Sequence, residues 1–104
     1  GDNIVDMILD LVRLCRPDGD APAIIRDNIS WGPGPRAAQA LMLTVRASAL
    51  LAGRLAPSPE DIMTMAVPVL EHRMALSFAA RARGENITDI ISVATSVTQS
   101  QAAA

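Results

Sequence analysis

Aromatic residues are nearly absent from this chain: Trp31 and Phe78 are the only two among 104 residues. A hydrophobic core must therefore be built from Leu, Ile, Val, Met and Ala. Half of the residues are apolar, which argues against a disordered chain. Alanine and leucine favour helix, and such side chains pack well between helices. The composition predicts one small, helical domain with an aliphatic core.

Lysine is missing altogether, and cysteine and histidine occur once each. All nine basic residues are arginine, and the net charge of −2 gives no general attraction to nucleic acid or to an anionic membrane. Cys15 cannot form an internal disulfide, and we expect it to be a small buried apolar residue in a reducing cytoplasm. His72 and Cys15 together fall short of the four ligands of a structural zinc site.

Several segments that would indicate a membrane or an enzyme are also missing. No apolar run approaches the roughly 20 residues that cross a bilayer, and Asp2 and Asp6 do not suit the basic start of a signal peptide. There is no phosphate-binding GxxxxGK(S/T) loop. We therefore expect a cytoplasmic domain that is not an enzyme by itself and does not hydrolyse ATP alone. Because the chain does not begin with methionine, we expect it to be one part of a longer protein.

Helical spacing of apolar residues predicts a small all-α bundle of four to five helices. The first helix is expected from Asn3 to Arg16, capped by Asp2 or Asn3 and stopped by Pro17, and a polar turn at residues 18–22 follows. A long helix is expected from Pro35 to Ala52, apolar nearly all round and therefore central and buried, with Gly53 as its C-terminal cap. Its apolar residues are Leu41, Leu43, Val45, Leu50 and Leu51.

The second half of the chain carries further helix signals. Ser58 and Pro59 are expected to start a helix, which Pro68 breaks or kinks before a second short one through His72. A last helix is predicted from Asn86 or Thr88 to about Thr98, with residues 100–104 as a frayed tail. Residues 23–31 and 74–82 suit either a helical turn or an extended stretch.

The strongest candidate for chemistry is the sequence WGPGPR at residues 31–36. Two Gly-Pro pairs predict a tight turn, and Pro35 suits the first position of the long helix. Arg36 then lies in the first helical turn, where the helix dipole disfavours a cation by about 0.3–1 kcal/mol. One interpretation is an anion or phosphate sensor; the other is an arginine that pairs with an acid such as Asp27. The residues alone favour the second.

Three further arginines, Arg73, Arg81 and Arg83, could form an anion-binding patch. A solvated helix face explains them more simply.

Four segments in order resemble the C-terminal lid of MoxR-type AAA+ ATPases. ISWGPGPRAAQAL at residues 29–41 resembles the start of the second lid helix, and residues 46–54 resemble its end. PSPED at residues 57–61 is similar to the start of the next helix, and VPVLEHRM at residues 67–74 resembles the family's Pro-Val-Leu-x-His-Arg signature. The first helix, ending in Arg16-Pro17, resembles the first lid helix. The likeness covers most of the chain, and the end after Gly84 departs from it.

This resemblance implies a helical lid, here residues 1–99, on a larger nucleotide-binding core. The core would carry the phosphate loop and the acids that bind Mg. Arg36 matches the family's second-sensor arginine, which reaches the γ-phosphate of ATP, with Gly34 and Pro35 beside it. The implied partners are the core of the same chain, neighbouring subunits of a ring, and proteins with von Willebrand factor A domains.

Two other classes of function remain as alternatives. A free-standing helical protein-interaction module would share the composition and helix count but would not explain the Gly-Pro-Arg turn. A small helical nucleic-acid binder conflicts with the net charge and the absence of lysine.

Overall fold

A computed structural model describes residues 2–18 and 21–103, and the side chains of residues 3–18 and 21–102. Gly19 and Asp20 of the predicted polar turn, the side chain of the predicted cap Asp2, and Ala104 lie outside these residues. The described elements are helices α1 (Asp2–Leu14), α2 (Ala23–Asn28), α3 (Pro35–Leu51), α4 (Pro59–Leu70), α5 (Phe78–Ala82) and α6 (Ile87–Ala103), strands β1 (Ile29–Trp31) and β2 (Ala75–Leu76), and a 3-10 turn, Glu71–Arg73.

Four of the helices form a bundle. Helix α1 packs on α3 and α6, and α4 packs on the same two helices and also contacts α1. The core between them is aliphatic, as predicted, and its largest fully buried side chains are Ile8, Leu11, Ile25, Leu41, Ile62, Leu70, Ile90 and Ile91. The all-α fold of the lid type is therefore confirmed, and the short helices α2 and α5 add to the four that form the bundle.

Both ends of α3 and the start of α6 lie where local signals predicted them. Pro35 is the first residue of α3, and Gly53, with a φ of 79°, follows its end. The Gly53 N–H donates to the Leu50 carbonyl at 3.0 Å, and the Arg54 N–H donates to the Ala49 carbonyl at 2.8 Å. This pair of bonds is the Schellman motif, which favours glycine because of the positive φ. Helix α6 begins after Asn86, whose side-chain oxygen accepts the Thr88 N–H at 2.7 Å.

The turn from α3 to α4 is held by one buried carboxylate, that of Asp61. The two guanidinium nitrogens of Arg54 each donate to one of its oxygens at 2.7 Å. The backbone N–H of Ser58, the predicted cap residue, donates to it at 2.7 Å, and the Ser48 hydroxyl lies 3.3 Å away. The hydrogen bonds from Arg54 hold the pKa of Asp61 well below its usual range.

Residues 23–31 and 74–82, which suited either a helical turn or an extended stretch, each contain a short helix and a short strand. Helix α2 leads into β1, and β2 leads into α5, and the two strands pair in antiparallel fashion with Ile29 opposite Leu76. The Ser77 N–H donates to the Asn28 carbonyl at 2.7 Å and extends the pairing. Arg83, at the end of α5, donates to the Asn28 side chain at 2.6 Å. The sheet thus joins two parts of the chain that are far apart in sequence.

Of the break or kink predicted at Pro68, the break is wrong, because α4 continues through this residue to Leu70 and the next turn begins only at Glu71. The kink stays a prediction. Proline removes the N–H that would bond to the carbonyl of Thr64 four residues earlier. Both residues are exposed, so water can satisfy that carbonyl. Leu70 is fully buried and holds the last turn of α4 against the core.

The expectation that α3 is buried nearly all round is also wrong. Leu41 and Val45 are fully buried, but Leu43 and Leu50 are each 67% exposed and Leu51 is 91% exposed. The neighbouring helices α1 and α4 cover only one side of α3. Helix α3 therefore buries a single stripe and presents an apolar outer surface.

Two helix ends differ from the prediction. Helix α1 ends at Leu14 rather than Arg16, and α6 continues past Thr98 to Ala103, through residues that were predicted as a frayed tail. The division into a domain of residues 1–99 and a tail of residues 100–104 stays a prediction.

Candidate functional site

The candidate site is the segment between β1 and α3. Trp31 ends β1 and is 55% exposed, Gly34 is the N-cap of α3, and Pro35 is the first helical residue. The ring of Pro35 fixes the φ that a helix start requires. Arg36, the second helical residue, is exposed. The structure therefore brings the three predicted site residues, Gly34, Pro35 and Arg36, together at one helix N-terminus.

The N-terminus of α3 lacks the groups that usually neutralise it. Gly34 provides no side-chain cap, and the first turn contains no acidic residue. The Ala37 N–H donates to the Gly34 carbonyl at 3.0 Å. Pro35 has no N–H, so the backbone N–H groups of this helix start at Arg36, whose side chain carries the only charge of the first turn. The positive end of the helix dipole and the arginine charge therefore add to each other, an arrangement suited to an anion.

The alternative partner of Arg36 does not contact it. Among residues 3–18 and 21–102, no carboxylate forms an ion pair with its guanidinium, including that of Asp27. The backbone carbonyl of Asp27 instead accepts a hydrogen bond from Arg83 at 3.3 Å. The positive charge of Arg36 faces solvent without compensation from the described part of the chain.

Gly32 is a residue of this segment whose role the sequence did not reveal. An ideal Cβ at Gly32 would lie 2.6 Å from the Cys15 carbonyl oxygen and 2.9 Å from the Cα of Arg16. Pro33, the next residue, is fully buried. At Gly34, by contrast, an added Cβ would meet nothing within 4 Å. The Gly-Pro pairs predicted a tight turn, but the close approach to the end of α1 has no local signal.

The remaining candidate residues are dispersed. Cys15 is fully buried, as expected, and burial raises the pKa of its thiol to about 12. His72 is exposed beside Glu71, with 3.3 Å between its Nε2 and the carboxylate. Arg73 donates to the Val69 carbonyl at 3.0 Å, whereas Arg83 donates to the side chain of Asn28 at the end of α2. The two arginines therefore serve separate local contacts.

Several apolar side chains are exposed on the described residues, and two of the regions that they form involve α3. One is a groove between α1 and α3, lined by Val5, Ile8, Leu9, Ala38, Gln39, Met42 and Leu43. The other is the end of α3 and the turn after it, where Leu51 is 91% and Leu55 is 100% exposed. The described surface is therefore not uniformly polar. Exposed apolar regions of this kind are expected on a domain that docks on a larger body.

Two kinds of feature are absent from the described residues. No helix there is long and apolar enough to span a bilayer. No three side chains of the metal-binding types His, Cys, Asp or Glu cluster there.

Comparison with known proteins places these features in a family. The profile of the AAA lid domain family matches residues 21–93. Protein MoxR of Paracoccus denitrificans is 41% identical over 66 residues, which are 64% of this chain and 18% of that protein. A crystal structure of a protein assigned as an ATPase from Cytophaga hutchinsonii matches with a TM-score of 0.81 at 28% identity, covering 90% of this chain and 29% of the other. The chain thus corresponds to less than a third of either relative.

Proposed function

The chain belongs to the AAA lid domain family and is a lid of the MoxR type, and from this premise we propose that it senses bound ATP through Arg36 and couples the nucleotide state to lid closure. The nucleotide would be held mainly by a core domain outside this chain, together with Mg. Arg36 would supply a planar pair of donors for the γ-phosphate, with the backbone at Gly34 and Pro35 beside it.

One observation carries this proposal: Arg36 is exposed and unpaired among the described residues at a helix N-terminus that has neither a cap nor an acid. Such an arrangement costs free energy in the isolated domain, since two positive features lie side by side. A bound phosphate would reverse that cost. Chains tend to break local rules of this kind at functional sites.

The mechanism that fits is a hinge. ATP bound to the core would favour the closed position of the lid, because only there does Arg36 reach the phosphate. The four-helix bundle would move as one body, so closure would displace every outer surface of the lid. Neighbouring subunits of a ring that contact those surfaces would then sense the nucleotide state.

The exposed apolar regions support the proposal that other domains or subunits dock on the lid. The groove between α1 and α3 and the leucines at the end of α3 suit the core of the same chain and adjacent subunits. Clients of the parent protein would include proteins with von Willebrand factor A domains. The parent is expected to be a cytoplasmic ATPase with chaperone-like activity, with no role for nucleic acid or membrane. A free-standing interaction module would use the same apolar groove but would leave the uncapped Arg36 unexplained.

The test replaces Arg36 in the full-length protein and measures ATP turnover and thermal unfolding. Arg36→Ala should leave stability within about 0.5 kcal/mol, as is usual for exposed residues. Losing a preorganised donor to a transferring phosphoryl group should raise the barrier by about 2–4 kcal/mol, which corresponds to a roughly 30- to 900-fold loss of turnover. Arg36→Lys should restore little, because a point charge lacks the planar fork.

Arg46→Ala is the matched control. Arg46 is also exposed on α3 but lies about 15 Å farther along the helix, at 1.5 Å per residue. It should keep both stability and turnover. If Arg36→Ala unfolds the protein while turnover per folded molecule is unchanged, Arg36 is structural. If neither quantity changes, it is a solvated arginine and the proposed function is wrong.

A further inference from the structure

The segment that carries Arg36 touches, through Gly32, the residues that directly follow α1. An ideal Cβ there would lie 2.6 Å from the carbonyl oxygen of Cys15, 2.9 Å from the Cα of Arg16 and 3.2 Å from the Cδ of Pro17. Real Cβ atoms essentially never approach other atoms within 3.0 Å. The two nearest atoms belong to the backbone, so no side-chain rotation can relieve the overlap. Only glycine permits this approach.

Both sides of the contact are held in place. Cys15 is fully buried just after the end of α1, and Pro33 is fully buried next to Gly32. On the far side of the segment, Ala37 in the first turn of α3 is also buried. The rings of Pro33 and Pro35 fix two of the backbone torsions between Gly32 and Arg36. The position of the Arg36 backbone relative to α1 therefore depends on how Gly32 seats on the end of that helix.

We propose that Gly32 is a positioning residue for Arg36: its missing side chain seats the Arg36 segment on the end of α1 and so places the guanidinium at the bound phosphate. The same contact passes a displacement of Arg36 directly to α1, as well as through the packing of α3. This inference rests on the proposed function, because it requires Arg36 to act on the nucleotide.

The size of the effect follows from the geometry. A methyl group at position 32 needs about 3.4 Å from the Cys15 oxygen for ordinary contact, so the present 2.6 Å must open by 0.8 Å. A misplacement of about 1 Å at a group that acts on the substrate can lower the rate about 100-fold. We expect Gly32→Ala to lower turnover per folded molecule by a factor of that order.

The experiment is a double-mutant cycle in the full-length ATPase, with turnover normalised to the folded fraction. It compares wild type, Gly32→Ala, Arg36→Ala and the double variant. If Gly32 acts through Arg36, Gly32→Ala lowers turnover in wild type and causes no further loss in the Arg36→Ala background. Gly32→Ala is expected to lower the unfolding temperature in both backgrounds in either case, but a purely structural role would leave turnover per folded molecule unchanged in both. That second outcome would overturn the inference.

Two more variants keep the test decisive. Arg46→Ala, on the same helix but outside the segment of residues 31–36, is the activity control and should retain turnover within a few-fold. Pro33→Ala adds no atom at position 32 but frees one torsion, so it should fold and show an intermediate loss that also vanishes in the Arg36→Ala background. If Gly32→Ala does not fold and Pro33→Ala retains wild-type turnover, the positioning role is refuted. If Arg36→Ala itself retains turnover, the proposed function is wrong, whatever the Gly32→Ala variant shows.

Discussion

The close approach of Gly32 to the residues after α1 makes a sharp prediction about the stability of this chain alone. Gly32→Ala places a methyl group against two backbone atoms at 2.6 and 2.9 Å. Overpacking in a filled site costs about 1–3 kcal/mol, and rigid backbone neighbours place this position at the upper end. Alanine also restricts the unfolded chain, which offsets about 0.4–1 kcal/mol. The net expected loss is about 2 kcal/mol.

Gly34→Ala is the control two residues away. It gains the same restriction of the unfolded chain, of about 0.4–1 kcal/mol. It loses a similar amount because alanine is a poorer N-cap than glycine. With open space around the added methyl group, the two contributions should nearly cancel. Each variant adds one methyl group to the wild-type chain, yet their free energies of unfolding should differ by about 2 kcal/mol.

The assay is urea and thermal unfolding followed by circular dichroism, with Trp31 fluorescence as an independent probe of the segment. For a domain of about this size, 1 kcal/mol shifts the midpoint by roughly 4–8 °C, so Gly32→Ala should melt about 8–16 °C below wild type. Gly34→Ala should stay within a few degrees. A Gly32→Ala variant as stable as Gly34→Ala would refute the contact on which both this prediction and the positioning role depend.

Three other predictions concern the core and the turns. Leu41→Ala should lower the free energy of unfolding by about 2–5 kcal/mol because Leu41 is fully buried, whereas Leu43→Ala on the exposed face of α3 should lower it by less than about 0.5 kcal/mol. Equal losses in urea unfolding would contradict a single buried stripe on α3. Since hydrogen bonds from Arg54 lower the pKa of Asp61, its stabilisation is present above the unfolded-state pKa of about 4 and is lost as pH falls through the folded value; Asp61→Asn should flatten this acid limb in pH-dependent unfolding. Burial raises the pKa of the Cys15 thiol to about 12, so alkylation at neutral pH should proceed only as fast as unfolding; rapid labelling of the native chain would disprove its burial.

The helix starts and stops could be predicted because their causes are local. Pro35 at the first position of α3 acts through its own fixed φ. Gly53 after the end of α3 and Ser58 before α4 act through hydrogen bonds that span three to five residues. The same locality let the WGPGPR segment stand out, since the conflict between Arg36 and the helix dipole lies within one turn. The family resemblance rests on these ordered local signals and is confirmed by the match to the AAA lid domain family.

Some features depended on contacts between distant parts of the chain. Residues 23–31 and 74–82 could not be assigned because β1 and β2 exist only as a pair, with Ile29 opposite Leu76. A Pro68 that reads as a helix breaker is tolerated because its side of α4 faces solvent, which is a property of the packed bundle.

Sequence alone thus determined the helical class, both ends of α3 and the starts of α4 and α6, because each of these is set within a turn or two of the backbone. It also marked Arg36 as unusual, but the sensor role of Arg36 was implied only by the family resemblance. Tertiary structure alone decided which face of α3 is covered, since the pattern of apolar residues on that helix exceeds what α1 and α4 can bury. It also decided why Gly32 must be glycine. The atoms that exclude a side chain there, in residues 15–17, are brought to it by the packing of α1 against the start of α3, and no spacing in the sequence encodes that approach.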